Sequence, residues 1–366
     1  MEVTLRGCCA CALVSCMIWI CLGCAGDAGA RSSRGIDIRD PAPPMLMSAG
    51  APQAETAPQT PVPTLAPALA PRVMQVTQSR VPNINAALPT ASRDIRVMSF
   101  NIRREIFIDA LNHWQLRKGL LVETIRNFNP DLLGTQEALA NQSDYLREHL
   151  TGYDFVGAGR NDGRRGGEMC GVFFRTARFD KLDSGHFWLS ETPTRPGSKS
   201  WGTSFPRMCT WVKLRDRADG SVLCLFNTHF DHRGKRARDE SARLLRRTIE
   251  RIAGHLPVIV TGDFNTTDDS APYRTLIAGT RRGDERFTDT YRAVNRAADA
   301  GAEGTRHDFW GVQGGPRIDW IVTSGEFKTV SASIDRTREN GRYPSDHFPV
   351  TAVLRPAAPV GVARIE

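Results

Sequence analysis

The distribution of proline limits how much of this chain can fold. Eleven of the 22 prolines lie between Pro41 and Pro89, among Ala, Thr and Gln residues with little charge and no apolar periodicity. Such a stretch cannot bury enough apolar surface to offset its ordering entropy, so residues 31–92 are predicted to be a disordered linker. Residues 93–358 are long enough for one large domain with its own core, and residues 359–366 are predicted to be a tail.

The first 30 residues have the layout of an export signal, because the apolar run Cys8–Gly26 follows Arg6. Ala28–Ala30 fits a small-x-small cleavage site. Cys21–Cys24 resembles a bacterial lipoprotein box that would be lipidated on its second cysteine, although its first cysteine stands where an aliphatic residue is usual. An uncleaved membrane anchor is the third alternative. All three predict an extracytoplasmic domain that is secreted, periplasmic or lipid-anchored, and the last two predict a membrane tether.

The charge beyond residue 92 is moderately basic, with 42 basic and 35 acidic side chains. A basic surface favours phosphate-bearing partners, such as nucleic acid, phospholipid head groups or small phosphate esters. No pattern in the chain indicates a protein partner.

The cysteines beyond the signal are Cys170, Cys209 and Cys224, and they have no CxxC spacing. An odd number of widely spaced cysteines does not suit a disulfide framework or a zinc site. We therefore predict three buried thiols.

Short apolar runs bounded by turn residues predict many strands, and three segments have helical spacing. Helices are predicted over Trp114–Phe128, Ala138–Leu150 and Arg236–Leu256, the last with a solvated face rich in arginine. Strands are predicted over residues 95–102, 131–137, 154–157, 170–175, 186–189, 208–214, 222–229, 258–263, 318–323, 328–334 and 348–354. The mixed order predicts an α/β protein with two packed sheets and helices outside.

Polar residues that could form a site lie within or at either end of six predicted strands. They occur in the segments SFNIR, LGTQEAL, NTHFDH, GDFN, RIDWI and SDHFPV. Each one alone has an ordinary explanation, such as an Asx-turn or an ion pair with arginine. Burial of so many carboxylates is costly unless they are paired or bind a cation. Asn, Glu and Asp oxygens without cysteine favour Mg²⁺ or Mn²⁺ over zinc.

In this order and spacing, the six segments resemble the endonuclease/exonuclease/phosphatase superfamily, which includes pancreatic-type deoxyribonucleases and inositol polyphosphate 5-phosphatases. The resemblance covers roughly residues 93–355 and implies a four-layer α/β/β/α sandwich, a divalent metal and hydrolysis of a phosphate ester. The stretch Phe187–Trp211 further resembles a bacterial subgroup of hydrolases.

The resemblance implies a metal-and-water side of the site. Glu137 and Asn101 would hold Mg²⁺ or Mn²⁺, with Asp346 as a further ligand. Asp263 would orient or deprotonate the attacking water, and Asn265 would help to place it. A carboxylate–amide pair suits that task because the water must be aligned opposite the leaving group.

The resemblance also implies a phosphate-binding side. His347 would contact the scissile phosphate while Asp319 holds its tautomer. His229 would bind a phosphate oxygen or assist the leaving group, and Glu168 would pair with His229. Weaker candidates for substrate binding are His307, Arg175 and Arg207.

These features predict an exported, magnesium-dependent phosphodiesterase that acts by in-line attack of water. One alternative is a phosphomonoesterase of the inositol phosphate or nucleotide type. Another is an inactive binding module of the same fold, which the presence of Glu137, Asp263 and His347 disfavours.

Overall fold

The computed structural model describes residues 93–279, 286–295 and 302–357. The predicted signal, linker and C-terminal tail lie outside these residues. The described strands are β1 Ile95–Asn101, β2 Leu132–Ala138, β3 Tyr153–Val156, β4 Met169–Arg175, β5 Phe179–Trp188, β6 Met208–Asp216, β7 Val222–His229, β8 Val258–Asp263, β9 Thr288–Asp289, β10 Asp319–Thr323, β11 Phe327–Ile334 and β12 Val350–Pro356. The described α-helices are α1 Trp114–Phe128, α2 Ala140–His149, α3 Lys235–Ala253, α4 Ala271–Ala278 and α5 Thr290–Val294.

The strands form two six-stranded mixed sheets. The first has the order β11-β12-β1-β2-β4-β3 and the second β5-β6-β7-β8-β10-β9. Within them, β1 pairs in parallel with β2, and β7 in parallel with β8. Helices cover the outer face of each sheet, so the predicted four-layer α/β/β/α sandwich is confirmed.

Side-chain alternation along β1 shows how the layers form. Ile95 and Val97 point into the apolar cluster between the sheets, whereas Met98 and Phe100 pack in the cluster that contains α1 and α2. Successive strand residues face opposite sides, so a strand that is buried on both sides is apolar throughout. On the far side, α3 and α4 cover the second sheet.

A buried polar seam joins the two sheets. The amide nitrogen of Asn227 donates to the carbonyl oxygens of Thr135 and Gly171, at 2.8 Å each. The amide nitrogen of Gln136 donates to the Asn227 oxygen at 2.6 Å. These two polar strand residues therefore connect the sheets and do not face the site.

The helix α3 differs from its prediction at one arginine. Leu245 and Ile249 are buried as expected, but Arg246 is buried as well, with its guanidinium carbon 4.0 Å from the centre of the Phe287 ring. The prediction of a wholly solvated arginine face was therefore wrong at this position. Aromatic cover explains the burial, because a guanidinium stacks on an aromatic face.

The three cysteines of the described residues are buried and free, as predicted. None of the helices in the described part of the chain is long and apolar enough to cross a bilayer.

Candidate active site

The strand registers bring the predicted site residues to one end of the sandwich. Asn101 ends β1 beside the Gln136–Glu137 end of β2. On the second sheet, His229 is opposite Asp263 across the parallel β7–β8 pair, and Asp263 is opposite Asp319 across β8–β10. Both sheets therefore contribute polar side chains at the same edge.

A pocket of about 180 Å³ lies at this edge. Charged and aromatic groups form most of its wall. The lining residues are Arg103, Arg104, Glu137, Arg160, Glu168, Phe205, Arg207, His229, His232, Asp263, Asn265, Arg306, Asp346 and His347.

His347 is held as a cation. Its Nδ1 lies 2.9 Å from a carboxylate oxygen of Asp319, and both residues are buried. Burial opposes the charge, but the carboxylate of Asp319 raises the pKa of His347 to about 10. The opposite ring nitrogen lies 4.0 Å from Asp263. The predicted contact between Asp319 and His347 is present, and it fixes the orientation of the ring.

Asp263 lies at the centre of the pocket. One of its oxygens accepts from the backbone N–H of Asn265 at 2.9 Å, and the other accepts from the amide of Asn101 at 2.9 Å. Burial raises the pKa of Asp263 to about 7, and the negative charge of Asp319 acts in the same direction. A carboxylate with this pKa can take a proton from water near neutral pH.

His229 is a neutral imidazole. Burial, followed by the positive charges of Arg207 and Arg160, holds its pKa well below the usual value. Its Nε2 accepts from the side-chain amide of Asn265 at 2.9 Å. The backbone of Asn265 adopts a left-handed φ of 50° just after β8, and its side-chain amide lies against His229.

Glu137 and Asp346 form an acidic corner beside these groups. Burial and the neighbouring charge of Glu137 raise the pKa of Asp346, while His347 opposes the shift. The guanidinium of Arg103 lies 3.5 Å from Asp346. Two carboxylates that repel each other in a pocket fit a hard divalent cation.

The structure places Asn101 between two carboxylates of the pocket. Its amide nitrogen faces Glu137 at 3.2 Å as well as Asp263, and its oxygen accepts from the backbone N–H of Arg103 at 3.0 Å. Asn101 therefore bridges the two carboxylates by hydrogen bonds, and its role as a metal ligand stays a prediction.

A second group of possible ligands consists of Asp263, Asp319 and His347, whose ligand atoms lie within 4.8 Å of one another. Asp319 does not line the pocket, and the Nδ1 of His347 is occupied by Asp319. Glu137 and Asp346 are therefore the better cation ligands.

Glu168 lies in the pocket but does not pair with His229 as predicted. Its carboxylate binds the guanidinium of Arg160, with Arg104 3.6 Å away and Arg207 4.0 Å away. Three guanidinium groups compete for this acid, and they attract it more strongly than a neutral imidazole does.

The three weaker candidates lie in different places. Arg207 lines the pocket. His307 is buried behind it, stacked on Phe348 with ring centres 3.9 Å apart. Arg175 does not line the pocket and is bound elsewhere, by Asp131 at 3.3 Å and by the carbonyl oxygen of Pro130 at 3.0 Å.

The sequence did not single out four further pocket arginines or the aromatic wall. Arg103, Arg104, Arg160 and Arg306 line the pocket, and the rings of Phe205 and His232 stack at 6.1 Å. The only available signal was that Arg103 and Arg104 directly follow the SFNI segment. The others reach the site from loops, which strand patterns do not describe.

Comparison with known proteins agrees with this geometry. The family model described as the endonuclease/exonuclease/phosphatase family matches residues 98–347. The chain belongs to this family. Its members hydrolyse phosphate esters and depend on divalent metal ions.

Solved structures of endonuclease/exonuclease/phosphatase proteins resemble the chain over the same region. One from Bacteroides vulgatus is 38% identical, with a TM-score of 0.67, covering 72% of this chain and 99% of that one. The mannosyl-6-phosphatase of Bacteroides thetaiotaomicron is 32% identical, with a TM-score of 0.64, covering 71% and 99%. Nocturnin of Drosophila melanogaster is 26% identical to this chain. The match covers 52% of this chain and 31% of that protein, so this chain spans about a third of its length.

Proposed function

We propose that this protein is a divalent-metal-dependent phosphomonoesterase that removes phosphate from a small substrate such as a sugar phosphate. The observation that carries the proposal is the small pocket of about 180 Å³ with five arginines in its wall. A pocket of this size suits a terminal phosphate and one ring better than a polymer.

Two buried guanidinium groups support binding of an anion. Arg207 has its Nε and Nη1 buried without a hydrogen-bond partner, and Arg160 has its Nε in the same condition. Buried donors without partners are costly, and phosphate oxygens would satisfy them. The guanidinium fork also matches the geometry of a phosphate.

The charge of the pocket favours a dianion over a monoanion. Five arginines and the cationic His347 face four carboxylates, and a divalent cation would add further positive charge. A phosphomonoester carries about two negative charges near neutral pH, whereas a diester carries one. The 32% identical relative from Bacteroides thetaiotaomicron is named as a mannosyl-6-phosphatase, which supports a sugar phosphate.

The residues of the pocket can perform the hydrolysis as follows. Asp263 accepts a proton from a water whose oxygen bonds to phosphorus as the bond to the leaving oxygen breaks, and the leaving oxygen takes up a proton from solvent. Asn265, which hydrogen-bonds both Asp263 and His229, fixes the side from which the water attacks. The cationic His347 stabilises negative charge on the phosphoryl oxygens. Glu137 and Asp346 would hold Mg²⁺ or Mn²⁺, which when bound neutralises charge on the phosphate and the leaving oxygen.

A phosphodiester is the second candidate, and the sequence alone favoured it. The excess of 42 basic over 35 acidic side chains beyond residue 92 suits a longer polyanion. We also propose that the domain acts outside the cytoplasm, on the basis of the apolar run Cys8–Gly26 and the linker that follows it.

The test is turnover of a matched panel by the full chain with Mg²⁺ and with a chelator. The panel contains mannose 6-phosphate, other hexose phosphates, 4-nitrophenyl phosphate, bis(4-nitrophenyl) phosphate and RNA. We expect chelator-sensitive phosphate release from the monoesters, fastest with a hexose phosphate. Faster cleavage of the diester or of RNA would replace the monoesterase proposal with the second candidate.

A further inference from the structure

The most exposed hydrophobic side chains gather in two segments that follow pocket-lining arginines in the chain. Six large hydrophobic side chains of the described residues are at least half exposed, and Phe107 and Trp310 are the most exposed, at 90% and 84%. All six lie within residues 107–116 and 310–312. We call them the apolar rim: Phe107, Ile108, Leu111, Leu116, Trp310 and Val312.

The two segments of the apolar rim adjoin each other through Arg117. This buried guanidinium donates to the carbonyl oxygens of Asn112 at 3.0 Å and Pro344 at 2.9 Å. It also lies 5.7 Å from the centre of the Phe309 ring, next to Trp310. One side chain therefore contacts the end of the first segment and the start of the second.

Both segments begin at the mouth of the pocket. Arg103 and Arg104 line the pocket just before Phe107, and Arg306 lines it just before Trp310. The backbone that carries the apolar rim is therefore continuous with the wall of the pocket.

The loop that carries Trp310 is held in a strained conformation. Asp308 and Phe309 have left-handed φ angles of 48° and 65°. The backbone N–H of Trp310 donates to the carbonyl oxygen of His307 at 2.8 Å, and that of Gly311 to its Nδ1 at 3.3 Å. The buried His307 thus fixes the backbone while the indole remains in solvent. Backbone strain of this kind is typical of functional sites, where it holds a side chain in a fixed position.

The acids of the two segments are neutralised by neighbours. Asp109 lies 2.8 Å from the guanidinium of Arg103, and Asp308 lies 2.8 Å from that of Arg306. Neither of these two carboxylates would enter an apolar phase without a partner, which lowers the free-energy cost of desolvating the rim.

We propose that the apolar rim docks onto a lipid bilayer surface and turns the pocket opening towards the lipid head groups. Exposed Trp and Phe beside aliphatic side chains are the residues that enter the membrane interface. The apolar run Cys8–Gly26 gives independent support, because two of its three interpretations predict a membrane tether for this chain.

The test uses residues 93–366, which lack the apolar N-terminal run. This part holds both sheets and all five apolar clusters, and the Bacteroides vulgatus chain corresponds to it over 99% of its length, so it can fold alone. Co-sedimentation is measured with vesicles of phosphatidylcholine alone and of phosphatidylcholine mixed with phosphatidylglycerol. The variants are F107S/W310S and the control L182S/V330S, which removes two half-exposed side chains outside the rim.

We expect F107S/W310S to weaken vesicle binding by about tenfold or more, while the control binds as the wild type does. Turnover of soluble 4-nitrophenyl phosphate should be the same in all three proteins, because neither Phe107 nor Trp310 lines the pocket. Failure of the wild type to sediment with either vesicle would overturn the proposal. An equal loss of vesicle binding in the control would also overturn it. If the wild type is a dimer and F107S/W310S dissociates it, the apolar rim is the contact between two copies of the chain, and the proposal fails.

Discussion

Two histidines of one pocket differ in charge because their neighbours differ. His347 has a carboxylate partner in Asp319 and stays protonated, whereas His229 lies near Arg207 and Arg160 and stays neutral. Burial lowers the pKa of both rings, and the carboxylate of Asp319 reverses that shift for His347. The cationic role of His347 should therefore depend on Asp319.

A double-mutant cycle tests that dependence. We expect His347→Ala to lower kcat by roughly 10²–10⁴-fold, and Asp319→Asn to lower it by less, because the ring remains in place. The double variant should be as slow as His347→Ala within about threefold, since Asp319 then has no ring to hold. Steady-state kcat and circular dichroism spectra would check this. Losses that multiply would show that the two residues act independently.

Replacement of Glu137 tests the acidic corner. Glu137→Gln removes a negative charge with little change in shape, so the dissociation constant for Mn²⁺ should rise by at least about tenfold. Calorimetric titration of the substrate-free protein measures this without activity. The control is Glu105→Gln. Glu105 lies outside the pocket, where its carboxylate accepts from the side-chain amide of Gln115 at 3.1 Å. Equal weakening in both variants would refute the assignment of Glu137.

At the scale of elements, one carboxylate organises the turn from β7 into α3. Asp231 accepts from the backbone N–H groups of Ser204, Arg233 and Gly234 at 2.7–3.0 Å, and from the hydroxyl of Thr203 at 2.9 Å. Burial opposes ionisation, but these hydrogen bonds lower the pKa of Asp231 to about 2. The turn thereby anchors the loop that carries Phe205 and Arg207.

The pH dependence of stability should reveal this carboxylate. Its folded pKa of about 2 lies below the unfolded value of about 3.9, so its contribution is full above pH 4 and is lost as the pH falls through 2. At pH 7, Asp231→Asn should lower the free energy of unfolding by about 1–3 kcal/mol. Urea unfolding at pH 7, 4 and 3 would measure the difference, which should shrink at pH 3. A constant difference would contradict this account.

The elements that the sequence predicted well are those with strong local signals. α1 has its predicted bounds, Trp114–Phe128, because its apolar period ends at Asn129, which adopts the left-handed conformation. β5 begins seven residues earlier than predicted, because as the outermost strand of its sheet it exposes polar side chains. β9 and α5 are too short to carry a period, and they form through tertiary contacts.

At the scale of the whole molecule, the site arises from the packing of two sheets. Sequence could place polar residues at strand ends, which is why Glu137, Asp263 and His347 were predicted. It could not supply pairings that depend on how loops approach one another, such as Glu168 with Arg160. The relative position of the sheets is fixed by the polar seam, where a Cβ at Gly134 would lie 2.2 Å from the Thr261 hydroxyl and 2.7 Å from the Asn227 oxygen.

Gly134→Ala should therefore force the sheets apart. We expect it to lower the free energy of unfolding by about 1–3 kcal/mol, the usual cost of overpacking, and to lower kcat by separating Glu137 from His229. The matched control is Gly119→Ala in α1, where a Cβ would have no neighbour within 4 Å. That change should raise stability by about 0.5–1 kcal/mol and leave kcat unchanged, because alanine favours a helix interior. Urea midpoints and steady-state kcat are measured for both variants. A Gly134→Ala protein as stable and active as the wild type would show that the polar seam does not set the spacing of the sheets.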